Sequence, residues 1–79
     1  MNTLVINYER IITDIYHQML QKYSFSEYNL SKEVLTASIG SSNTTWCIID
    51  GVLYIKFLGY DLGYGSEKEI FEAQVGLFE

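Results

Sequence analysis

Residues 44–58, TTWCIIDGVLYIKFL, decide the fold of this 79-residue chain. Two runs rich in β-branched and aromatic residues flank the pair Asp50 and Gly51. An Asp-Gly pair between such runs favours a two-residue hairpin turn, because both central residues of that turn need positive φ. The turn also sets the pairing of the strands, so that Trp46 faces Ile55. This stretch therefore predicts an antiparallel β-hairpin with a defined register.

Both faces of the predicted hairpin are apolar. We expect the N-terminal helix to cover one face, with Trp46 in the core; that face holds Trp46, Ile48, Leu53, Ile55 and Phe57. If Trp46 is exposed instead, the two faces are exchanged and Cys47 lies inside. The second face holds Cys47, Ile49, Val52, Tyr54 and Leu58. A sheet with one solvated face alternates apolar and polar residues more cleanly, so we expect the tail, a second copy or a partner to cover this face.

The region before the hairpin contains a helical pattern. Apolar residues recur at steps of three and four from Tyr8 to Tyr23, with polar residues between them. This spacing predicts an amphipathic helix that ends near Tyr23. Residues 24–31 form a connection, and residues 33–39, EVLTASI, alternate in part and are assigned to the first of three strands.

Two patterns compete near the C-terminus. Ser66 and Glu69 have the spacing of a capping box, which predicts a helix over about 67–75 that ends at Gly76. The alternation of Phe71, Ala73, Val75 and Leu77 with polar residues and glycine would instead give a fourth strand. The expected fold is one small α+β domain over residues 1–79, with an N-terminal amphipathic helix, a three-stranded antiparallel sheet and a short C-terminal helix or fourth strand.

Charge and composition exclude several classes of function. Ten acidic residues against five basic ones give a formal net charge of −5, and the basic residues are dispersed. Direct nucleic-acid binding needs clustered Lys or Arg and is not expected. No run is long and apolar enough for a membrane span, and the N-terminus lacks the pattern of a signal peptide. With one cysteine, Cys47, we expect a cytoplasmic protein that carries a reduced, packed thiol.

No set of residues indicates catalysis. The glycines at 59, 63 and 65 have the look of a dinucleotide-binding turn, but too few residues follow for a parallel βαβ unit. His17 and Asp14 offer two metal ligands where a site needs three or four. Cys47 lies among apolar residues rather than in the electropositive setting of a nucleophile. We therefore expect no enzyme activity, no metal and no cofactor.

A loop rich in Gly and Tyr, followed by acidic residues, is the predicted partner-binding surface. Tyrosine supplies a large amphipathic contact at low entropic cost, and acidic groups around it steer a basic partner. The candidate residues are Tyr60, Asp61, Tyr64, Glu67, Glu69 and Glu72. The alternative is that the two tyrosines cover the open face of the sheet and the acidic residues form a solvated surface.

In element order and charge, the chain resembles the small phage-encoded anti-CRISPR proteins that block the DNA-binding groove of a nuclease. The resemblance covers most of the chain and rests on the N-terminal helix, the hairpin CIIDGVLYI at 47–55 and the acidic segment GSEKEIFEA at 65–73. It implies a stoichiometric inhibitor whose carboxylates occupy a basic groove of a nucleic-acid-binding host protein, such as a nuclease. The alternative is a structural homo-oligomer, such as a homodimer, that pairs through Cys47, Ile49, Val52 and Tyr54.

Overall fold

A computed structural model describes residues 6–27, 29–63 and 68–78. The elements follow in the order α1 (Tyr8–Lys22), α2 (Lys32–Ile39), β1 (Thr45–Ile49), β2 (Val52–Leu58) and β3 (Ile70–Gly76). The strands form an antiparallel sheet in the order β1-β2-β3. Helix α1 packs on β3 and on α2, so the described part of the chain has the expected α+β architecture.

Polar side chains cap the start of both helices. Oδ1 of Asn7 accepts a hydrogen bond from the backbone N–H of Arg10 at 3.1 Å, and α1 then follows the predicted amphipathic pattern. Oγ of Ser31 accepts from the backbone N–H of Val34 at 3.2 Å at the start of α2. Each cap satisfies a backbone N–H that has no partner inside the helix.

The assignment of residues 33–39 to a strand is wrong, because they lie in α2. The Ser31 cap and Glu33 in the first turn favour a helix start. Leu35 and Ser38, three residues apart, then share the buried side of the helix. The segment therefore follows its helical spacing and not the partial alternation that the sequence also contains.

The predicted hairpin is confirmed. Asp50 and Gly51 have φ of 51° and 74°, so both central residues of the turn lie in the positive region that the turn requires. Ile49 pairs with Val52, and Trp46 pairs with Ile55, as the two-residue turn predicts.

The C-terminal element is a strand, which makes the predicted helix over 67–75 wrong. Residues 70–76 pair antiparallel with β2 as the third strand, with Phe57 opposite Phe71. The alternation of Phe71, Ala73 and Val75 places all three on the buried face. Ser66 of the capping pattern lies outside the described residues. The sheet thus has three strands as expected, but β3 takes the place that was assigned to residues 33–39.

The core lies between α1, α2 and the face of the sheet that the hairpin register predicts. Phe57 is 0% exposed, and Leu53 and Ile55 are buried beside it. The remaining core residues include Ile15 and Met19 of α1, Leu35 of α2, and the buried residues of β3.

The burial of Trp46 was predicted wrongly, since the side chain is 60% exposed. The faces are not exchanged, because Leu53 and Ile55 are buried as expected. Cys47 is exposed as well, so it is not the packed thiol that the sequence indicates. Trp46 is exposed because β1 is an edge strand, whereas α1 packs on β3 at the opposite edge of the sheet.

Candidate protein-binding edge and groove

Helix α1 closes the outer edge of β3. The side-chain amide of Gln18 donates from Nε2 to the carbonyl oxygen of Gln74, and its Oε1 accepts from the backbone N–H of Gln74 at 3.1 Å. This pair of hydrogen bonds reproduces what a neighbouring strand would offer to one residue of β3. Gln18 therefore occupies backbone groups of β3 that a fourth strand would otherwise bond.

Three more side chains from α1 and its C-terminal end bond the same edge. The Arg10 guanidinium donates to the carbonyl oxygen of Gly76 at 2.6 Å. Nζ of Lys22 donates to the carbonyl oxygen of Glu72 at 3.2 Å, and the Tyr23 hydroxyl accepts from the backbone N–H of Glu72 at 2.9 Å. Covering an edge strand in this way removes a template for pairing with other chains.

The outer edge of β1 has no such cover within residues 29–63 and the other described ranges. Ile49 and Val52 flank the hairpin turn and form the hydrogen-bonded pair next to it. Bonded and non-bonded pairs alternate along an antiparallel ladder. The N–H and C=O groups of Trp46 and Ile48 therefore point away from β2, along the open edge.

An apolar groove runs beside this edge on the helix side of the sheet. It has a volume of about 210 Å³ and is open to solvent. Its lining includes Trp46 and Ile48 of β1 together with Tyr8 of α1; the full lining is Ile6, Tyr8, Ile11, Ile39, Trp46, Ile48, Leu53, Ile55 and Leu77. The groove lies where the helix no longer covers the sheet, so its apolar walls are in contact with water.

The opposite side of β1 is apolar as well. Ile49 is 55% exposed, Tyr54 is 41% exposed, and Cys47 is exposed beside them. Val52 on the same face is half-buried. The described part of the tail leaves this second face in contact with solvent. β1 thus presents apolar side chains on both faces along one unpaired edge.

Four of the six predicted partner-binding residues fall among the described residues, and the structure places them in different surroundings. Tyr60 is 64% exposed, and Glu69 is exposed. The backbone N–H of Gly59 donates to the carbonyl oxygen of Glu69 at 2.7 Å, which brings the turn that carries Tyr60 close to Glu69.

The other two described acids have partners within the chain. Oδ2 of Asp61 accepts from the Ser41 hydroxyl at 2.7 Å. Glu72 lies 3.5 Å from Nζ of Lys56 on the outer face of the sheet. Tyr64 and Glu67 lie outside the described residues. The described acids therefore do not gather into one unpaired carboxylate cluster.

The sequence contains no local signal that β1 is an edge strand. Residues 44–49 hold no charge and no proline, the usual devices that protect an edge strand. In a sequence, such a run is typical of a buried strand, and only the strand order shows that it lies at an edge.

Among the described residues, no three His, Cys, Asp or Glu side chains lie together in an arrangement that could hold a metal ion. In the same ranges, neither helix has the length and apolar character needed to cross a membrane. Comparison of the chain with protein-family models, with curated proteins and with solved structures found no match.

Proposed function

We propose that this chain is a protein-interaction module that takes a β-strand from a partner onto the open edge of β1. The observation that carries the proposal is that all five residues of β1 are exposed on a strand without a charged residue. In strand addition, the backbone groups of the edge supply affinity, and pockets beside it select the partner's side chains. The outward N–H and C=O groups of Trp46 and Ile48 match the first requirement.

The groove beside the edge matches the second requirement. A strand added to β1 would place alternate side chains over the groove, next to Trp46 and Tyr8. Exposed aromatic residues of this kind are frequent hot spots, where truncation typically costs about 2 kcal/mol or more of binding free energy. We include a cytoplasmic location in the proposal, because the exposed free thiol of Cys47 suits a reducing compartment.

The test is a proline at position 48. Proline removes the outward N–H of Ile48 and is tolerated on an edge strand when that N–H faces solvent. Tagged wild-type protein, Ile48→Pro and the matched control Ile48→Val are used to capture partners from cells of the source organism, after circular dichroism has shown that all three are folded. We expect wild type and Ile48→Val to retain the same partner, or a second copy, and Ile48→Pro to lose it. Equal capture by all three folded proteins would contradict docking at this edge.

A second candidate is the stoichiometric inhibitor of a nucleic-acid-binding host protein that the acidic charge and the anti-CRISPR resemblance suggest. The proximity of the exposed Tyr60 turn to Glu69 favours it. The variants Tyr60→Ala and Glu69→Gln remove no hydrogen bond described above, whereas changes at Asp61 and Glu72 would also break their internal contacts. Under this hypothesis, Glu69→Gln slows association in a salt-dependent way and Tyr60→Ala speeds dissociation. A captured partner that binds both variants as it binds wild type, and whose DNA binding the protein leaves unchanged, would exclude inhibition through this surface.

A further inference from the structure

We propose that the strand taken up by β1 is β1 of a second copy, so that two chains form one continuous six-stranded sheet about a two-fold axis. The inference rests on the proposed function and names its partner. It differs from pairing through the second face, because the contact is made along the strand edge and not by stacking two sheets.

The register of the pairing follows from the hairpin. In antiparallel self-pairing with full overlap of residues 45–49, Trp46 of one copy lies opposite Ile48 of the other, and Cys47 lies opposite Cys47. The outward groups of Trp46 and Ile48 then form the hydrogen-bonded pairs. Cys47 occupies the non-hydrogen-bonded pair on the axis, where the Cα atoms are about 4.5 Å apart. A shift by two residues toward the turn would pair Trp46 with Asp50, whose φ of 51° is not that of a strand.

The charge distribution permits this pairing even though the chain carries a formal net charge of −5. Residues 45–49 contain no charged side chain, so the overlap places no like charges opposite each other. The nearest acid, Asp50, lies opposite Thr44 of the second copy in the proposed register. The β1 edges of two copies can therefore pair without repulsion between charged side chains.

The exposed apolar surface beside the edge adds to the area that edge pairing would bury. A fully buried aromatic side chain covers about 150 to 250 Å², so the exposed parts of Tyr8 and Trp46 offer on the order of 200 Å² per copy. The partly exposed isoleucines of β1 and the strand backbone add a similar area. The total of about 400 Å² per copy is about half of the roughly 800 Å² per partner of a standard interface, which fits a dimer that dissociates on dilution.

The closed edge of β3 limits the assembly to two copies. Because Gln18 and its neighbours on α1 bond the outer groups of β3, the described part of each chain has one edge to offer. Pairing of two open edges uses both of them, and the result is a dimer rather than a fibre.

The first experiment measures solution mass. We expect wild type and Ile48→Val to show twice the 9.1 kDa mass of the chain at micromolar concentration in sedimentation equilibrium. Ile48→Pro removes two hydrogen bonds per dimer and should weaken the dimer by about 30-fold or more. Tyr54→Lys, on the second face, should leave the dimer intact, and its loss in that variant would overturn edge pairing in favour of face pairing.

The second experiment tests the register by mild oxidation with diamide. We expect Cys47 to cross-link wild type into a covalent dimer, because paired Cα atoms in this position lie within disulfide distance. The matched variant Cys47→Ser/Ile49→Cys should not cross-link, since position 49 faces position 45 of the other copy. Addition of Thr45→Cys to it should restore the cross-link. A dimer that cross-links through position 49 alone would overturn the proposed register.

The outcomes separate the two proposals. A monomer at all concentrations that still captures another protein through an edge sensitive to Ile48→Pro overturns the self-pairing and leaves the proposed function in place. A monomer with no partner sensitive to Ile48→Pro overturns both. A dimer that is lost in Ile48→Pro and cross-links at Cys47 supports both.

Discussion

Substitution of Gln18 by alanine tests whether α1 acts as the missing neighbour of β3. Gln18 makes two hydrogen bonds to the backbone of Gln74. A net contribution of about 0.5 to 1.5 kcal/mol for each bond gives an upper range of about 1 to 3 kcal/mol. Gln18 is only half-buried and water can replace part of the loss, so we expect the lower half, about 1 to 2 kcal/mol.

The assay is urea unfolding followed by circular dichroism at one fixed protein concentration, since association would shift the apparent stability. The matched control is Gln21→Ala, which changes the same residue type on the exposed side of the same helix. It reports the small gain in helix propensity that alanine brings to both variants. If the two variants unfold with the same free energy, within about 0.3 kcal/mol, then Gln18 does not support the edge of β3. Sedimentation of Gln18→Ala at high concentration supplies a second readout, because an opened second edge should allow species larger than a dimer.

Two further predictions concern single positions. Gly51→Ala should destabilise the fold by more than Gly63→Ala in thermal unfolding. Both glycines have positive φ, which costs about 1 to 2 kcal/mol for other residues. A Cβ on Gly51 would also overlap the ring of Phe78, whereas a Cβ on Gly63 meets no other atom within 4 Å. Equal losses would mean that the Phe78 ring moves aside freely. Trp46→Ala should cost less than about 1 kcal/mol at dilutions where the protein is monomeric, against about 3 to 5 kcal/mol for Phe57→Ala. A comparable loss at both positions would place Trp46 in the core after all.

The hairpin could be predicted from the sequence because its determinants are local. The turn residues Asp50 and Gly51 set the register, and the register assigns Leu53 and Ile55 to the core face. Each of these steps depends on residues adjacent in the sequence or directly opposite across the turn. The amphipathic helix α1 could be predicted for the same reason, since its period lies within a single segment.

The two segments whose secondary structure was predicted wrongly contain both the spacing of a helix and the alternation of a strand. Residues 33–39 alternate in part but also place Leu35 and Ser38 on one helix side, and the Ser31 cap favours the helix. Residues 70–76 follow a capping pattern but alternate more regularly, and pairing with β2 makes them a strand. In each case, the neighbouring structure decides between two local patterns of similar strength.

The candidate site was harder to predict than the fold, because an apolar edge strand and a buried strand have the same composition. Trp46 and Ile48 follow the alternation of a core face, and nothing in residues 44–49 shows that the helix stops short of them. The exposure of β1 results from strand order, which depends on β3 pairing with β2 across separations from 12 residues (Leu58 and Ile70) to 24 residues (Val52 and Gly76). Only these long-range contacts decide whether residues 45–49 form an edge strand or a buried one.

The difference between the two edges bears on function, since an interaction surface must be available to a partner without promoting aggregation. On the polar side of α1, Arg10, Gln18 and Lys22 bond the backbone of β3. These contacts close the β3 edge with polar side chains that would otherwise be solvated by water. The same helix leaves β1 uncovered, where Trp46 and Ile48 carry apolar side chains and outward backbone groups. A sheet with both edges open would extend without limit, whereas a sheet with one closed edge can accept a single strand and stop.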